Sequence, residues 1–223
     1  MKKAEIQEFY RRLADRTPDP ETELDYVNDY TLLVAVVLSA QATDAGVNVA
    51  TRDLFKEVTT PARMVALGEE GLKRHIRTIG LFNTKAKNVI ALSKVLVAQH
   101  KGEVPADRDA LQALPGVGRK TANVVMNVAF GAETFPVDTH VFRVANRTGL
   151  APGKDVGEVE AKLEKETPAP WRNSAHHLLI LHGRYVCKAR RPECWRCVVA
   201  DLCRYKPKTP PPAEDTPRRT AAR

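Results

Sequence analysis

The chain has 223 residues, 43% of them hydrophobic, and carries a net charge of +8 from 35 Lys and Arg against 27 Asp and Glu. That length and apolar content suit one or two domains with real cores, and the longest unbroken apolar run, Leu32 to Leu38, is far shorter than the roughly 20 residues of a membrane-spanning helix. Met1-Lys-Lys runs into Glu5, Gln7 and Glu8 rather than an apolar segment, so a secretory signal is not expected, a cytosolic reducing compartment is the default, and the positive balance favours a polyanionic partner.

In chain order, Ala4 to Ala14 reads as a short helix and Thr17-Pro-Asp-Pro as its breaker. Asp29 is expected to cap a helix carrying Leu32 to Leu38, whose continuous apolar face implies a central, buried position. A buried strand is the rival assignment, and the lack of Gly or Pro from Thr31 to Ser39 favours helix. Ser39-Ala-Gln-Ala-Thr-Asp44 is a polar break, after which Val47, Ala50, Leu54 and Val58 mark one amphipathic helix. Thr60-Pro61 opens a short helix in the N-cap, N1 arrangement. Leu72, Ile76 and Ile79 form a stripe that stops at Gly80, and Leu81-Phe82 form a connector. Asn83 is then expected to cap a long helix bearing Ala86, Val89, Ile90 and Leu96, closed by Gly102.

Asp107 is placed to cap a short helix from Arg108 to Leu114, and Ala122, Val125, Met126 and Ala129 recur at i, i+3, i+4, i+7 on a second. Between them Pro115 ends the first helix, while Gly116 and Gly118 allow a tight hairpin with a backbone open to close approach. Free N–H groups at the start of the second helix, next to Arg119 and Lys120, suit a phosphate oxygen whatever the base sequence. An ordinary helix-turn-helix reversal is the plainer alternative. Gly131 to Pro136 is a link, Asp138-Thr-His opens a helix with Val141, Val144 and Ala145 that ends at Gly149, and Val156, Val159 and Leu163 mark the next. Pro168 and Pro170 break the chain before a last long helix, Trp171 to Val186. With no useful period-2 alternation, the chain reads as all-α. From Lys206 onward five prolines and several Lys and Arg residues, with no large apolar residue, read as a disordered basic tail (207–223).

All four cysteines fall in one stretch, Cys187, Cys194, Cys197 and Cys203, spaced C-x6-C-x2-C-x5-C. A reducing compartment disfavours disulfides, so four thiolates around a metal centre are expected. Zinc and 4Fe-4S both accept four cysteines; a single close pair favours the cluster on spacing. Lys188, Arg190, Arg191, Arg196, Arg204 and Lys206 surround it and can offset its negative charge, while the loop from Lys188 to Arg191 reaches for phosphate. Glu193 interrupts that basic run and weakens its grip.

The hairpin Leu114 to Thr121, the segment Val137-Asp-Thr-His, the four-cysteine spacing and Leu38-Ser-Ala-Gln-Ala-Thr-Asp44 together resemble the endonuclease III family of the helix-hairpin-helix, Gly/Pro-Asp superfamily of DNA glycosylases, over about residues 4 to 206. The resemblance implies a two-domain helical fold: a six-helix bundle (22–132) containing the helix-hairpin-helix (about 107–130), and a discontinuous domain (1–21 and 133–206) holding a 4Fe-4S cluster on the four cysteines. It implies a monomer that binds double-stranded DNA in the cleft between the domains, acts in the cytoplasm (at the nucleoid if the source is bacterial), and excises oxidised pyrimidines as a bifunctional glycosylase and AP lyase, with activity also on abasic sites. Lys120 and Asp138 match the family's catalytic pair. Gln41 matches the residue that fills the space of a flipped base, Leu81 a wedge into the opposite strand, and His140 a residue lining the cleft; Gly116, Gly118, Arg119, Lys188, Arg190 and Arg191 complete the expected DNA contacts. The hairpin is also expected to offer the carbonyls of Gln112, Leu114 and Val117 to a monovalent cation, although Gln112 departs from the acidic residue often found there.

The catalytic assignments also follow from chemistry. Breaking the bond between base and deoxyribose builds positive charge at C1′ and the ring oxygen, which a carboxylate such as Asp138 stabilises. An amine such as Lys120 attacks C1′ to form a Schiff base, and β-elimination follows. The amine must be neutral, whereas an ordinary lysine titrates near about 10.4. A helix N-terminus shifts that by less than one unit. A shift of about two to three units therefore requires desolvation in a closed cleft and Arg119 if its charge points inward, or else Asp138 takes the proton as a base. An adenine-specific mismatch glycosylase is the nearest alternative, opposed by Lys120. A non-catalytic hairpin protein has no need of the Lys120 and Asp138 pair, and an electron-transfer protein has no need of the hairpin.

Overall fold

The computed structural model describes residues 1–212; the expected basic tail lies for the most part outside the described residues. Among the described residues there are eleven α-helices, two 3₁₀ turns and no strand. No helix among them is long and apolar enough to cross a membrane.

Two hydrophobic cores form. The first is organised around α2 (Asp29–Leu38), buried on every side from Tyr30 to Leu38 as its unbroken apolar run requires. Around it lie α3 (Asp44–Thr51), α5 (Pro61–Ile76), α6 (Phe82–Gln99), α7 (Arg108–Gln112) and α8 (Arg119–Phe130), with α4 (Leu54–Glu57) a single turn. Tyr30 of α2 and Ser93 of α6 share a buried hydroxyl hydrogen bond of 2.7 Å that ties these two helices inside the core. The second core joins the chain's two ends: Ile6, Phe9, Tyr10 and Leu13 of α1 (Lys3–Arg16) pack with α9 (Thr139–Thr148), α10 (Val156–Glu166) and α11 (Ala175–Tyr185). The Tyr10 hydroxyl meets Thr167 Oγ1 at 3.0 Å, and its ring stacks on Trp171 at 6.2 Å.

Several boundaries differ from the sequence expectations for identifiable reasons. Asn28, not Asp29, caps α2, because its side chain accepts the Thr31 N–H while Thr31 Oγ1 accepts the Asn28 N–H; Asp29 falls in the first turn, where its charge suits the helix dipole. The single helix expected from Val47 to Val58 is two, α3 and α4; Arg52 and Asp53 stay near helical angles, so the apolar stripe runs through the break. Within α5, Gly68 takes φ 73° and ψ 171° and divides the helix. Helix α6 starts at Phe82 behind a left-handed Leu81, so Asn83 lies inside its first turn and caps nothing. Helix α7 stops at Gln112, two residues before Leu114. The last helix begins at Ala175, not Trp171, which closes a 3₁₀ turn (Ala169–Trp171) that sets its ring against Tyr10.

Helices α8 and α9 close on left-handed glycines, Gly131 at φ 64° and Gly149 at φ 75°. The two sites separate backbone strain from crowding. A methyl at Gly131 meets nothing, whereas at Gly149 it falls 2.6 Å from Arg204 Cγ. Gly131→Ala is expected to cost about 1 kcal/mol, and Gly149→Ala measurably more, since Arg204 also bonds Glu5 and, through its N–H, the Thr148 carbonyl. The midpoints of thermal unfolding of the two variants check the order.

Candidate active site and metal centre

The hairpin joins α7 to α8. Asp107 caps α7 by accepting the Ala110 N–H at 2.7 Å, and the turn closes through the Val117 N–H on the Leu114 carbonyl. Gly116 is required twice: its φ is 78°, and a Cβ there lies 2.8 Å from Asn88 of α6. Gly118 is different. Its φ of −90° suits any residue and a Cβ there meets nothing, so the turn itself does not require it. No side chain caps α8, which leaves its first N–H groups facing outward around Lys120.

Lys120 opens on the cleft, yet the surrounding protein strips water from its ammonium. Its pKa is lowered, first by that desolvation and in lesser measure by the Arg184 charge, while Asp138 and Asp44 pull the other way. Arg119 plays no part in this. Its guanidinium turns away to grip the buried carboxylate of Glu160 on α10, with Nη2 to Oε1 at 2.8 Å and Nε to both oxygens at 3.1 Å; Asn123 donates to the same carboxylate at 2.9 Å. The inward positive charge is Arg184, which pairs with Asp44 at 2.7 Å and with Glu23; Tyr185 also donates to Glu23.

Asp138 is the N-cap of α9. One oxygen, Oδ1, accepts the N–H groups of His140 and Val141 at 2.9 and 2.8 Å. The other has no partner among the described residues and stays available. Among the carboxylates whose charge bears on Lys120, Asp138 counts most. His140 lines the open cavity at the mouth of the cleft, of about 450 Å³, with Thr43, Asp44, Arg184 and Tyr185. Arg143 lies 3.1 Å from its Nδ1, and because a guanidinium only donates, the ring proton sits on Nε2. Arg143 also donates to the Gly183 and Cys187 carbonyls at 2.8 and 3.0 Å, tying α9 to the start of the cysteine loop.

Gln41 and Leu81 are both exposed and both left-handed, at φ 54° and 60°. Their loops touch, since the Gln41 carbonyl lies 3.9 Å from where a Cβ on Gly80 would stand. Left-handed angles at two neighbouring non-glycine residues are a local strain of the kind that collects at working sites. Of the basic loop, Arg190 and Arg191 are exposed and make no ion pair among the described residues, whereas Lys188 pairs with Glu193 at 2.6 Å. The Gln112, Leu114 and Val117 carbonyls lie along the end of α7 and the turn, with one lone pair of Leu114 used by the Val117 N–H. Arg184, Glu160 and Arg143 had no distinguishing pattern in the sequence, and Asp44, though it ends the Leu38 to Asp44 segment, had no assigned role, because each acquires its role only from a partner on a distant element.

Cys187, Cys194, Cys197 and Cys203 are unpaired and line one recess with Pro192, Ala200 and Tyr205. No three Cys, His, Asp or Glu side chains among the described residues close around a single ion. Zinc needs all its sulfurs about 2.3 Å from one point, so the recess fits a larger four-iron core better. Burial pushes the Cys197 thiol up to about 11 and raises Cys187, so a cationic core is needed to hold them as thiolates. Arg147 Nη1 donates to Cys187 Sγ at 3.6 Å, and His182 Nε2 lies 3.7 Å from Cys197 Sγ. The residues present fit a 4Fe-4S cluster, which when bound supplies a four-point tie across the loop.

Residues 34–169 match the model of the HhH-GPD superfamily base excision DNA repair protein, and residues 187–203, which begin and end on cysteines, match the iron-sulfur binding domain of endonuclease III. Endonuclease III of Escherichia coli (strain K12) is 57% identical over 208 residues, covering 93% of this chain and 99% of that protein; the Haemophilus influenzae enzyme is 55% identical with the same coverage. A solved endonuclease III trapped covalently on DNA superposes with a TM-score of 0.86 at 47% identity, covering 92% of this chain and 96% of that one. A thermostable thymine-DNA glycosylase, 23% identical, shares the fold with a TM-score of 0.81. With its helices, hairpin and cysteine loop all accounted for, the chain belongs to the endonuclease III family of the HhH-GPD superfamily of base excision DNA repair proteins.

Proposed function

We propose that the chain excises oxidised pyrimidines from duplex DNA and cleaves the strand at the abasic site, as a bifunctional DNA glycosylase and AP lyase. The deciding observation is a desolvated amine on Lys120 within range of an Asp138 carboxylate whose second oxygen is left without a partner. Held by two N–H groups, that carboxylate keeps its aim while its outer oxygen stabilises the charge growing at C1′. The neutral amine attacks C1′, and the Schiff base loses a C2′ proton so that the 3′ phosphate departs. The hairpin N–H groups, with Gly118 bare beside them, take a phosphate, and Arg190 and Arg191 take others. Gln41 and Leu81 fill the gap of the flipped nucleotide and wedge the opposite strand; their strain holds both tips out of the core. An oxidised pyrimidine such as thymine glycol has lost aromatic planarity, stacks poorly and flips at least cost. One chain carries both catalytic groups, so a monomer suffices. The nucleoid, in the cytoplasm, is where bacterial cells like those of its relatives hold duplex DNA.

Borohydride should trap the wild-type chain on a duplex containing an oxidised pyrimidine, and Lys120→Gln should abolish the adduct while leaving binding largely intact. Asp138→Asn keeps an oxygen for the α9 cap, so folding should survive while base release slows by about 10² to 10³. A trapped adduct with Lys120→Gln would overturn the assignment.

Because desolvation lowers the Lys120 pKa, the neutral amine gains population as pH rises through that value. The trapping rate on a preformed abasic site should therefore climb with pH and level off clearly below the ordinary lysine value of about 10.4. A climb that continues to that value would show an unperturbed lysine.

Leu81→Gly removes both the left-handed strain and the wedge. Its unfolding midpoint should not fall, while excision from duplex slows roughly tenfold, the rate equivalent of about 1.4 kcal/mol of lost support for flipping. Excision from single-stranded DNA, which has no opposite strand to wedge, should be unchanged.

A further inference from the structure

Helix α8 carries Arg119, Asn123 and Asn127 four residues apart, so their side chains form one stripe along the helix, next to the stripe that begins with Lys120. Asn123 and Asn127 are both buried, and buried amides need partners. Those of this stripe lie outside α8. Arg119 forks onto Glu160 of α10 through contacts of 2.8 and 3.1 Å, and Asn123 Nδ2 donates to Oε1 of the same carboxylate at 2.9 Å. Asn123 Oδ1 has no partner among the described residues, so Glu160 alone orients that amide. The Asn123 carbonyl accepts the Thr134 hydroxyl at 2.6 Å, and Thr134 lies in the link that leads to Asp138. Further along the stripe, Asn127 Nδ2 donates to the carbonyls of Ala132, in the same link, and of Asn173, ahead of α11, at 3.0 and 3.1 Å.

We infer that Glu160 is a positioning residue, which grips α8 on both sides of Lys120, at Arg119 and Asn123, and so sets where the amine stands relative to Asp138. This rests on Lys120 being the nucleophile. The two groups belong to different cores, and apolar contact between cores is non-directional, so it resists separation better than it resists sliding. Hydrogen bonds are directional and do resist sliding. Glu160 is 5% exposed, and its neighbours Val159 and Leu163 are packed in the second core, so its carboxylate stands on a fixed base. No side chain caps α8, which leaves this clamp to hold the first turn.

The role is one of place and not of charge. The charges that bear on Lys120 are those of Asp138, Asp44 and Arg184, and Glu160 is not among them. A buried ion pair also adds little stability over an apolar replacement of the same volume, whereas its geometry fixes register. Register matters here because a misplacement of about 1 Å at a reacting group costs about 10² in rate. Arg119 remains half-exposed beside the hairpin, so a phosphate contact is its rival role, and the two roles differ in what their loss changes.

Single-turnover borohydride trapping on a preformed abasic duplex, at saturating protein and well below the unfolding midpoint, reads the alignment. Glu160→Gln keeps the volume and one acceptor oxygen but sets an amide N–H against the Arg119 guanidinium. Its saturated trapping rate is expected to fall about tenfold or more. Arg119→Gln should fall likewise, and the double variant should be no slower than the slower single, because both remove the same clamp. The Kd for the abasic duplex, its salt dependence and the pH at which the rate levels off should stay at wild-type values. A wild-type saturated rate in folded Glu160→Gln would overturn the clamp, as would losses that multiply in the double variant. A shifted levelling-off pH would mean that Glu160 acts through its charge. Weaker binding with a flatter salt slope in Arg119→Gln would make Arg119 a phosphate contact instead. If Glu160→Gln does not fold, Arg119→Gln, altered at a half-exposed side chain, decides. Failure of the unaltered chain to trap would overturn Lys120 as nucleophile and not the clamp.

Discussion

Two N–H groups on one oxygen of Asp138 hold the rest of the site in register. A carboxylate on a flexible side chain would collapse onto the nearest cation and neutralise the very lysine it must leave available. As the N-cap of α9, Asp138 is oriented by the backbone of its own helix at 2.8 and 2.9 Å. Its position is therefore that of α9, which is fixed in turn by α1 and α11 in the second core and by Arg143 at the cysteine loop. The same residue is a structural cap and a catalytic candidate without conflict, because a carboxylate has two oxygens.

Lys120 belongs to the other core, so the two groups meet only if the cores are held together. Buried carboxylates cannot be left unpaired without a penalty of several kcal/mol, and Glu160 answers that need by drawing in Arg119 and Asn123 from across the boundary. Arg184 makes the reciprocal tie, from α11 to Asp44 and Glu23. These pairs do more for alignment than for stability. They also dispose of charge: Arg119, one residue before Lys120, is turned toward Glu160, and Asp44 is occupied by Arg184 instead of by the Lys120 ammonium. What remains around Lys120 is mainly desolvation, which favours the neutral amine.

The surface proposed to face DNA shows the opposite economy. Gly118 carries no side chain where none is sterically forbidden, Gln41 and Leu81 sit in backbone angles that most residues avoid, and Leu81 leaves an apolar side chain 60% exposed. None of these features helps the isolated chain fold. Each makes sense against a partner that brings its own phosphates and its own vacated base stack.

The all-helical class, the central place of α2, the hairpin with its capping Asp107, the Asp138 cap and the four-cysteine centre were legible in the sequence because each rests on local physics: apolar period, capping chemistry, glycine and proline geometry, and the reach of neighbouring thiols. Helix ends slipped by one to four residues where a competing side chain, such as Asn28 or Trp171, found a partner that spacing alone does not reveal. Which way Arg119 points, that Arg184 replaces it beside Lys120, that Arg143 sets the His140 tautomer, and that His176 lies buried within reach of the Lys120 charge were decided only by tertiary structure. The reason is physical: a charge or an imidazole takes its orientation and its proton affinity from groups brought within a few ångströms by folding, and those groups lie tens of residues away along the chain.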